Sequence, residues 1–242
     1  MKPLAVIFSG AGLSKESGIP TFRDSKNGLW HNHKVDDVAT QEGWQRNKQL
    51  VLDFYKARTE NVKSCQPNAA HFAIAKLQEK YRVVNITQNI DDLLERAGCE
   101  EVWHLHGDIN HRKCEWHKSI TNLDGDTNFT CDYIAEHQEP VKLGDLCPLC
   151  QGQLRPMVIW FGEAVDMRDK ELFDLMEKAE VFIGVGTSAQ VHPAASLLFM
   201  FKNTKKKYFI DLNPPERLQS YTRLAGTACE HLPQVVEELL NN

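Results

Sequence analysis

Within twelve residues of the N-terminus a short apolar run, Leu4–Phe8, gives way to Gly10-Ala11-Gly12, and no other feature constrains the fold as strongly. The run is rich in β-branched and aromatic side chains and too short for a stable helix, so it reads as a buried strand. Two glycines with one residue between them let the backbone come close to a pyrophosphate. A helix placed next would aim its free N–H groups at that anion. Glycine after a strand also serves purely steric turns, so the loop alone selects a fold class and not a ligand.

Four further runs have the same character: Val83–Thr87, Met157–Phe161, Val181–Val185 and Tyr208–Leu212. Between them, Leu50, Val51 and Phe54 recur at helical spacing, as do Ile74, Leu77 and Tyr81, with Asn68 placed to cap the second helix. Strand runs alternating with helices predict an α/β fold: a Rossmann-like, doubly wound parallel sheet whose ligand lies at the carboxyl ends of the strands. A chain of 242 residues, 42% hydrophobic and 25% charged, is long enough for one sizeable core and a small module inserted in it.

The net charge of −5 argues against a nucleic-acid partner. The dense basic run Lys205-Lys206-Lys207 reads as a solvated turn before the next strand. No basic–apolar–small leader pattern and no run of membrane-spanning length occurs. The expectation is a soluble, cytoplasmic protein with no membrane partner.

Between residues 108 and 155 the periodicity lapses and the chain turns polar and rich in Cys, His, Asp and Gly. This stretch is expected to be an inserted zinc-binding module within a single domain spanning 1–242. Cys147-Pro148-Leu149-Cys150 can place two thiolates on one tetrahedral ion, and Cys114 and Cys131 complete a soft ligand set. A redox pair is the alternative for a C-x-x-C motif, but redox pairs open a helix after a strand and this one closes a polar insertion. A closed four-ligand site leaves no position for a catalytic water, so the metal is expected to be architectural. Cys65, Cys99 and Cys229 read as ordinary small buried or half-buried residues.

Two polar strings follow probable strands: Gln88-Asn89-Ile90-Asp91 and His104-Leu105-His106-Gly107. Taken alone, the first could be a helix cap and the second a core histidine. In combination with Gly10-Ala11-Gly12-Leu13-Ser14 and Ser17-Gly18-Ile19-Pro20-Thr21-Phe22-Arg23-Asp24, they closely resemble the sirtuin family of NAD-dependent protein deacylases.

That resemblance implies roles for individual residues. Gly10, Ala11 and Gly12 would line the NAD site, with Phe22 and Arg23 covering it and Phe22 shielding the reacting ribose. Asn89 and Asp91 would line the nicotinamide pocket, Gln88 would contact the ribose, and His106 would be the general base. His104 is expected to be structural, since alternate residues of a strand face opposite sides. Gly186, Thr187 and Ser188 would bind nucleotide after a later strand, and Ala228 would sit in a late loop near the adenine. Asp211, by the dinucleotide rule, or Asn213, by the resemblance, would hold the adenosine ribose.

The segment with Val158, Phe161, Gly162 and Glu163 resembles the part of the family that takes up the acyl-lysine protein or peptide by strand addition. Tyr55 and Arg58, one turn apart on a helix, match the pair of class III sirtuins, which accept succinyl and malonyl groups; Ala11 matches the small residue of that class. A guanidinium and a phenol suit a carboxylate and have nothing to offer an acetyl group. Sirtuins usually supply their first cysteine pair as C-x-x-C, whereas this chain has Cys114-Glu115-Trp116-His117, so His117 competes with Cys131 for one metal position.

The implied activity is NAD-dependent protein-lysine desuccinylation, demalonylation and deacetylation, releasing nicotinamide and O-acyl-ADP-ribose. Two rivals are an NAD glycohydrolase or ADP-ribosyltransferase on the same scaffold, and a catalytically silent NAD sensor.

Overall fold

The apolar runs pair as the main sheet. In the computed structural model, which describes residues 2–21, 33–117 and 130–242, the six strands β1 (Leu4–Ser9), β2 (Arg82–Thr87), β3 (Val102–His104), β7 (Ala179–Val185), β8 (Lys206–Asp211) and β9 (Thr222–Ala225) lie in the order β3-β2-β1-β7-β8-β9. Every pairing is parallel. The direction of winding reverses between β1 and β7, so loops leaving these two neighbours diverge and open a crevice at their carboxyl ends.

Both faces of the sheet are buried, which is why β1 reads as unbroken apolar sequence. One face packs on helices α4 (Ala69–Leu77) and α8 (Ala228–Asn241), through Ile74, Leu77, Leu232 and Val236. The other packs on α6 (Asp169–Lys178) and α7 (Leu197–Met200), through Leu172, Leu175 and Leu198. Asn68 caps α4 as expected, accepting from the N–H groups of Ala70 and His71, while the His71 ring reaches back to the Asn68 N–H in a capping box. Tyr81 lies beyond the end of that helix, still within the same core.

A second sheet, β5-β4-β6, is antiparallel: β4 (Gly107–Cys114) lies between β5 (Ile134–Glu136) and β6 (Leu154–Val158). Here the structure corrects the sequence reading. Met157–Phe161 is not a parallel strand of the main sheet; its first two residues end β6, and the rest is irregular. Its apolar character comes from a third core, where Val158 and Trp160 meet α2 (Gln41–Arg46) and α3 (Lys48–Ser64) through Trp44, Phe54 and Tyr55. A run of five apolar residues cannot distinguish these two burials. Lys206 and Lys207 likewise belong to β8 and not to a turn before it.

The glycine loop also differs from expectation. No α-helix follows Gly12 in the described residues up to 21; the chain makes one 3-10 turn, Lys15–Ser17. The glycines serve a close approach between loops. The Gly12 N–H donates to the Gly186 carbonyl at 2.8 Å, and a Cβ on Gly12 would lie 2.6 Å from the Gly186 Cα. Gly186 itself has φ +60, so both partners need to lack a side chain.

Candidate active site

A cavity of about 780 Å³ occupies the crevice outside the carboxyl ends of the main sheet. Each loop that enters it starts where a parallel strand stops, which is how residues distant in sequence converge. After β1 come Gly10, Ala11 and Gly12; after β2, Gln88, Asn89 and Asp91; after β3, His106. After β7 come Gly186, Thr187 and Ser188; β8 contributes its last residue, Asp211, and the loop after it Asn213. Ala228, expected in a loop, is the first residue of α8, and it too lines the cavity. From the other side come Tyr55 and Arg58 on α3, and Val158, Phe161, Gly162 and Glu163. Phe22 and Arg23 lie outside the described residues.

The loop after β2 is held by side chains chosen for hydrogen bonding. Thr87, buried, takes the Ser9 hydroxyl at 2.9 Å and the Asn89 N–H at 3.1 Å. The Thr187 hydroxyl donates to the Gln88 side-chain carbonyl at 2.7 Å, tying the β2 and β7 loops together. The Asn89 amide donates to Ser14 Oγ at 3.1 Å, and His71 Nε2 lies 3.5 Å from the same hydroxyl. Burial pushes the His71 imidazole down to about 4, so it is neutral. Ser14 and His71 are thus part of the frame behind Asn89. Ser14 stands in the glycine string of the resemblance without a role assigned to it, whereas the spacing of Asn68 and His71 carries the signature of a capping box.

Two histidines brace this loop, His104 from the end of β3 and His106 from the turn that follows. His104 Nδ1 meets the Asn89 carbonyl at 2.9 Å and its Nε2 meets Glu95 at 2.7 Å. Burial works against its charge, but the Glu95 contact and the Asn89 carbonyl prevail and raise it to about 9, so His104 is a cation with a supporting role. His106 Nδ1 lies 3.1 Å from the Gln88 carbonyl, an acceptor only, which requires the proton on Nδ1 and leaves Nε2 with its lone pair. Burial lowers the His106 pKa below the ordinary 6.5, outweighing that carbonyl, and keeps the ring neutral. Gly107, at φ +84, lets β4 begin against the Met157 carbonyl, 2.0 Å from where a Cβ would stand. Burial raises the pKa of Asp91, although its carboxylate accepts the Leu93 N–H at 3.2 Å.

The far end of the cavity has a different chemistry. Tyr55 and Arg58 are both buried. The Trp160 indole N–H donates to the Tyr55 oxygen at 3.0 Å. The Arg58 Nη1 is buried and makes no hydrogen bond. An orphaned guanidinium nitrogen is costly unless a ligand satisfies it. Phe161 is 51% exposed at the cavity mouth, and Gly162 turns the chain at φ +88. Glu163 lines the cavity with a carboxylate that already has partners. Its carboxylate pairs with Arg155 and accepts from the Gln41 amide and the Trp160 N–H, so it holds the segment in place.

Away from the cavity, Cys114, Cys131, Cys147 and Cys150 bring their sulfurs within 4.8 Å of one another. A tetrahedral zinc with Zn–S near ~2.3 Å needs sulfurs about 3.8 Å apart. Cys114 and Cys150 are 3.3 Å apart and Cys131 and Cys147 3.6 Å, so the donor set fits the ion. The structure groups Cys131 with the others and leaves His117 outside the set, although the two are bridged neighbours. No helix among the described residues is long and apolar enough to cross a membrane.

Comparison with known proteins places this geometry. The chain is 41% identical over 238 residues to an NAD-dependent protein deacylase of Helicobacter pylori, covering 96% of this chain and 97% of the relative. It is 39% identical over 251 residues to one of Pyrococcus furiosus, covering 98% and 93%. A Sir2 homologue solved as an NAD complex is similar in structure, with a TM-score of 0.84 and 34% identity across 99% of this chain and 90% of that one. The Sir2 family model matches residues 10–193, a span holding the glycine loop, the Gln88–Asp91 turn, His106 and the β7 loop. With its parallel sheet, its convergent loops and this match, the chain belongs to the Sir2 family.

Proposed function

We propose that the protein is an NAD-dependent protein-lysine deacylase whose acyl pocket favours succinyl, malonyl and related acidic groups over acetyl. Deacylase activity is supported by the relatives named NAD-dependent protein deacylase. The observation that carries the acidic preference is Arg58: buried, with Nη1 unpartnered, one helical turn from Tyr55, in the same cavity as His106. A carboxylate there would satisfy the guanidinium, with the Tyr55 hydroxyl as a second donor.

NAD supplies an activated ribose carbon from which nicotinamide can be displaced by the acyl oxygen. The loops after β1, β7 and β8 bind its adenosine half, and Asn89 and Asp91 enclose the nicotinamide end. His106 Nε2 would accept a proton from a ribose hydroxyl as that hydroxyl attacks the acyl carbon, and water would then release free lysine and the O-acyl-ADP-ribose. The peptide lies beside Val158 and Phe161, where β6 is an edge strand able to accept another. The four cysteines would hold a structural zinc.

The test is nicotinamide release with matched succinyl-lysine and acetyl-lysine peptides. Replacing Arg58 by methionine should lower the succinyl-to-acetyl ratio of kcat/KM about 10- to 100-fold, the worth of a charge-assisted hydrogen bond pair. An unchanged ratio overturns the acidic-acyl reading, and release that ignores the peptide overturns deacylation.

A pH profile follows from His106. The base must be unprotonated, and burial holds its pKa below 6.5. The kcat/KM for acyl-peptide should therefore be level near pH 7 and fall on the acid side, with its inflection below 6.5. An acid limb centred above 7 would show that another group is the base.

A further inference from the structure

We propose that Trp160 is a specificity-determining positioning residue for acidic acyl groups: its indole N–H commits the Tyr55 hydroxyl to donate toward the acyl carboxylate. This rests on the acidic-acyl reading above and deepens it.

An indole nitrogen only donates, so the 3.0 Å contact makes the Tyr55 oxygen the acceptor. A phenol that accepts from one side keeps its own proton for an acceptor on another. Burial pushes the Tyr55 pKa up to about 12, so that proton is present at every working pH. Without the indole N–H nothing holds the hydroxyl in that rotation, and fixing it on binding takes back part of what the carboxylate gains. An acetyl group carries no carboxylate and does not sense the orientation.

Trp160 is held firmly enough to set that direction. It is 2% exposed, and the Arg155 guanidinium lies 3.8 Å from its ring centroid. Arg155 is itself buried, donating from Nη1 to the Val158 carbonyl at 3.1 Å and pairing through Nη2 with Glu163. The other oxygen of Glu163 accepts the Trp160 backbone N–H at 2.9 Å. The Trp44 ring lies 5.6 Å from that of Trp160. Arg155, Trp160 and Glu163 thus form one buried unit. It lies in the segment proposed to seat the peptide, so peptide docking and acyl selection share a frame.

The experiment compares Trp160→Phe, Tyr55→Phe, their double variant and Arg58→Met on matched succinyl- and acetyl-lysine peptides. Phenylalanine keeps an aromatic ring for Arg155 but loses part of the indole's volume together with its N–H. Benzothienylalanine at position 160, the near-isosteric ring with sulfur for N–H, gives the same comparison if Trp160→Phe does not fold. Either change should lower the succinyl-to-acetyl kcat/KM ratio about 3- to 10-fold, chiefly through the succinyl KM, and should add nothing in the Tyr55→Phe background. A general structural role would instead depress both substrates equally and persist without the Tyr55 hydroxyl; either finding overturns the inference. If Arg58→Met separates the substrates and the Trp160 changes do not, the inference alone fails. If Arg58→Met does not separate them, the acidic-acyl reading fails and takes the inference with it.

Discussion

Stripping zinc with a strong chelator is expected to abolish deacylation and open one region of the molecule before the rest. Three of the four clustered cysteines, Cys114, Cys131 and Cys147, are buried in the same core as Trp44, Phe54, Tyr55 and Trp160. Removing the ion would leave four thiols crowded in that core with nothing to bind them. Structural zinc sites contribute about 10–16 kcal/mol in small peptides, comparable with the whole stability of an ordinary domain of roughly 5–15 kcal/mol. The parallel sheet has its own cores against α4 and α8 and against α6 and α7, and shares no zinc ligand with them. Hydrogen exchange should therefore accelerate in α3 and β4–β6 on chelation while β1, β2 and β7 stay protected. Cys147→Ser should behave as the chelated protein does. Purified protein lacking about one zinc per chain, yet fully active and indifferent to chelator, would rule the metal out.

Replacing His106 by alanine should lower kcat/KM for acyl-peptide by about 10²–10⁴, the usual contribution of a positioned general base. The fold should tolerate the change, because His106 lies in a turn, its ring bonds the Gln88 carbonyl, and its bond from the Ile159 N–H is made by the backbone and survives substitution. Binding of NAD, measured by calorimetry, should change by less than about threefold, since the loops after β1, β7 and β8 are untouched. Parallel losses of NAD affinity and melting temperature would mean that His106 supports the loop and does not act as the base. His104 offers the contrasting control: it acts through the Asn89 carbonyl and Glu95, and its replacement should disturb the geometry of the loop.

Much of this molecule is legible in the order of its residues, for identifiable reasons. Strands β1, β2, β7 and β8 are buried on both faces, so their composition is nearly independent of context. Asn89, Asp91 and His106 follow strand ends, and a parallel sheet delivers every such end to one edge. Adjacency in sequence therefore becomes adjacency in the crevice. The cysteine cluster is legible because four cysteines in one short polar insertion are a pattern few arrangements other than a shared ion need.

What the sequence could not determine lies in contacts between segments far apart. Met157–Phe161 has the apolar content of a sheet strand, but only the packing of α2 and α3 shows that Trp160 belongs to another core. Glu163 lines the cleft, yet its carboxylate is claimed by Arg155, a pairing the local string does not announce. Gly12 needs its missing side chain because Gly186 touches it, across a pairing of β1 with β7 that no local pattern specifies. The bond from Trp160 to Tyr55 joins residues 105 positions apart. Local sequence sets periodicity, turns and chemical type, each decided within a few residues. Which donor meets which acceptor is decided by register and packing between distant elements, and those are fixed only when the cores close.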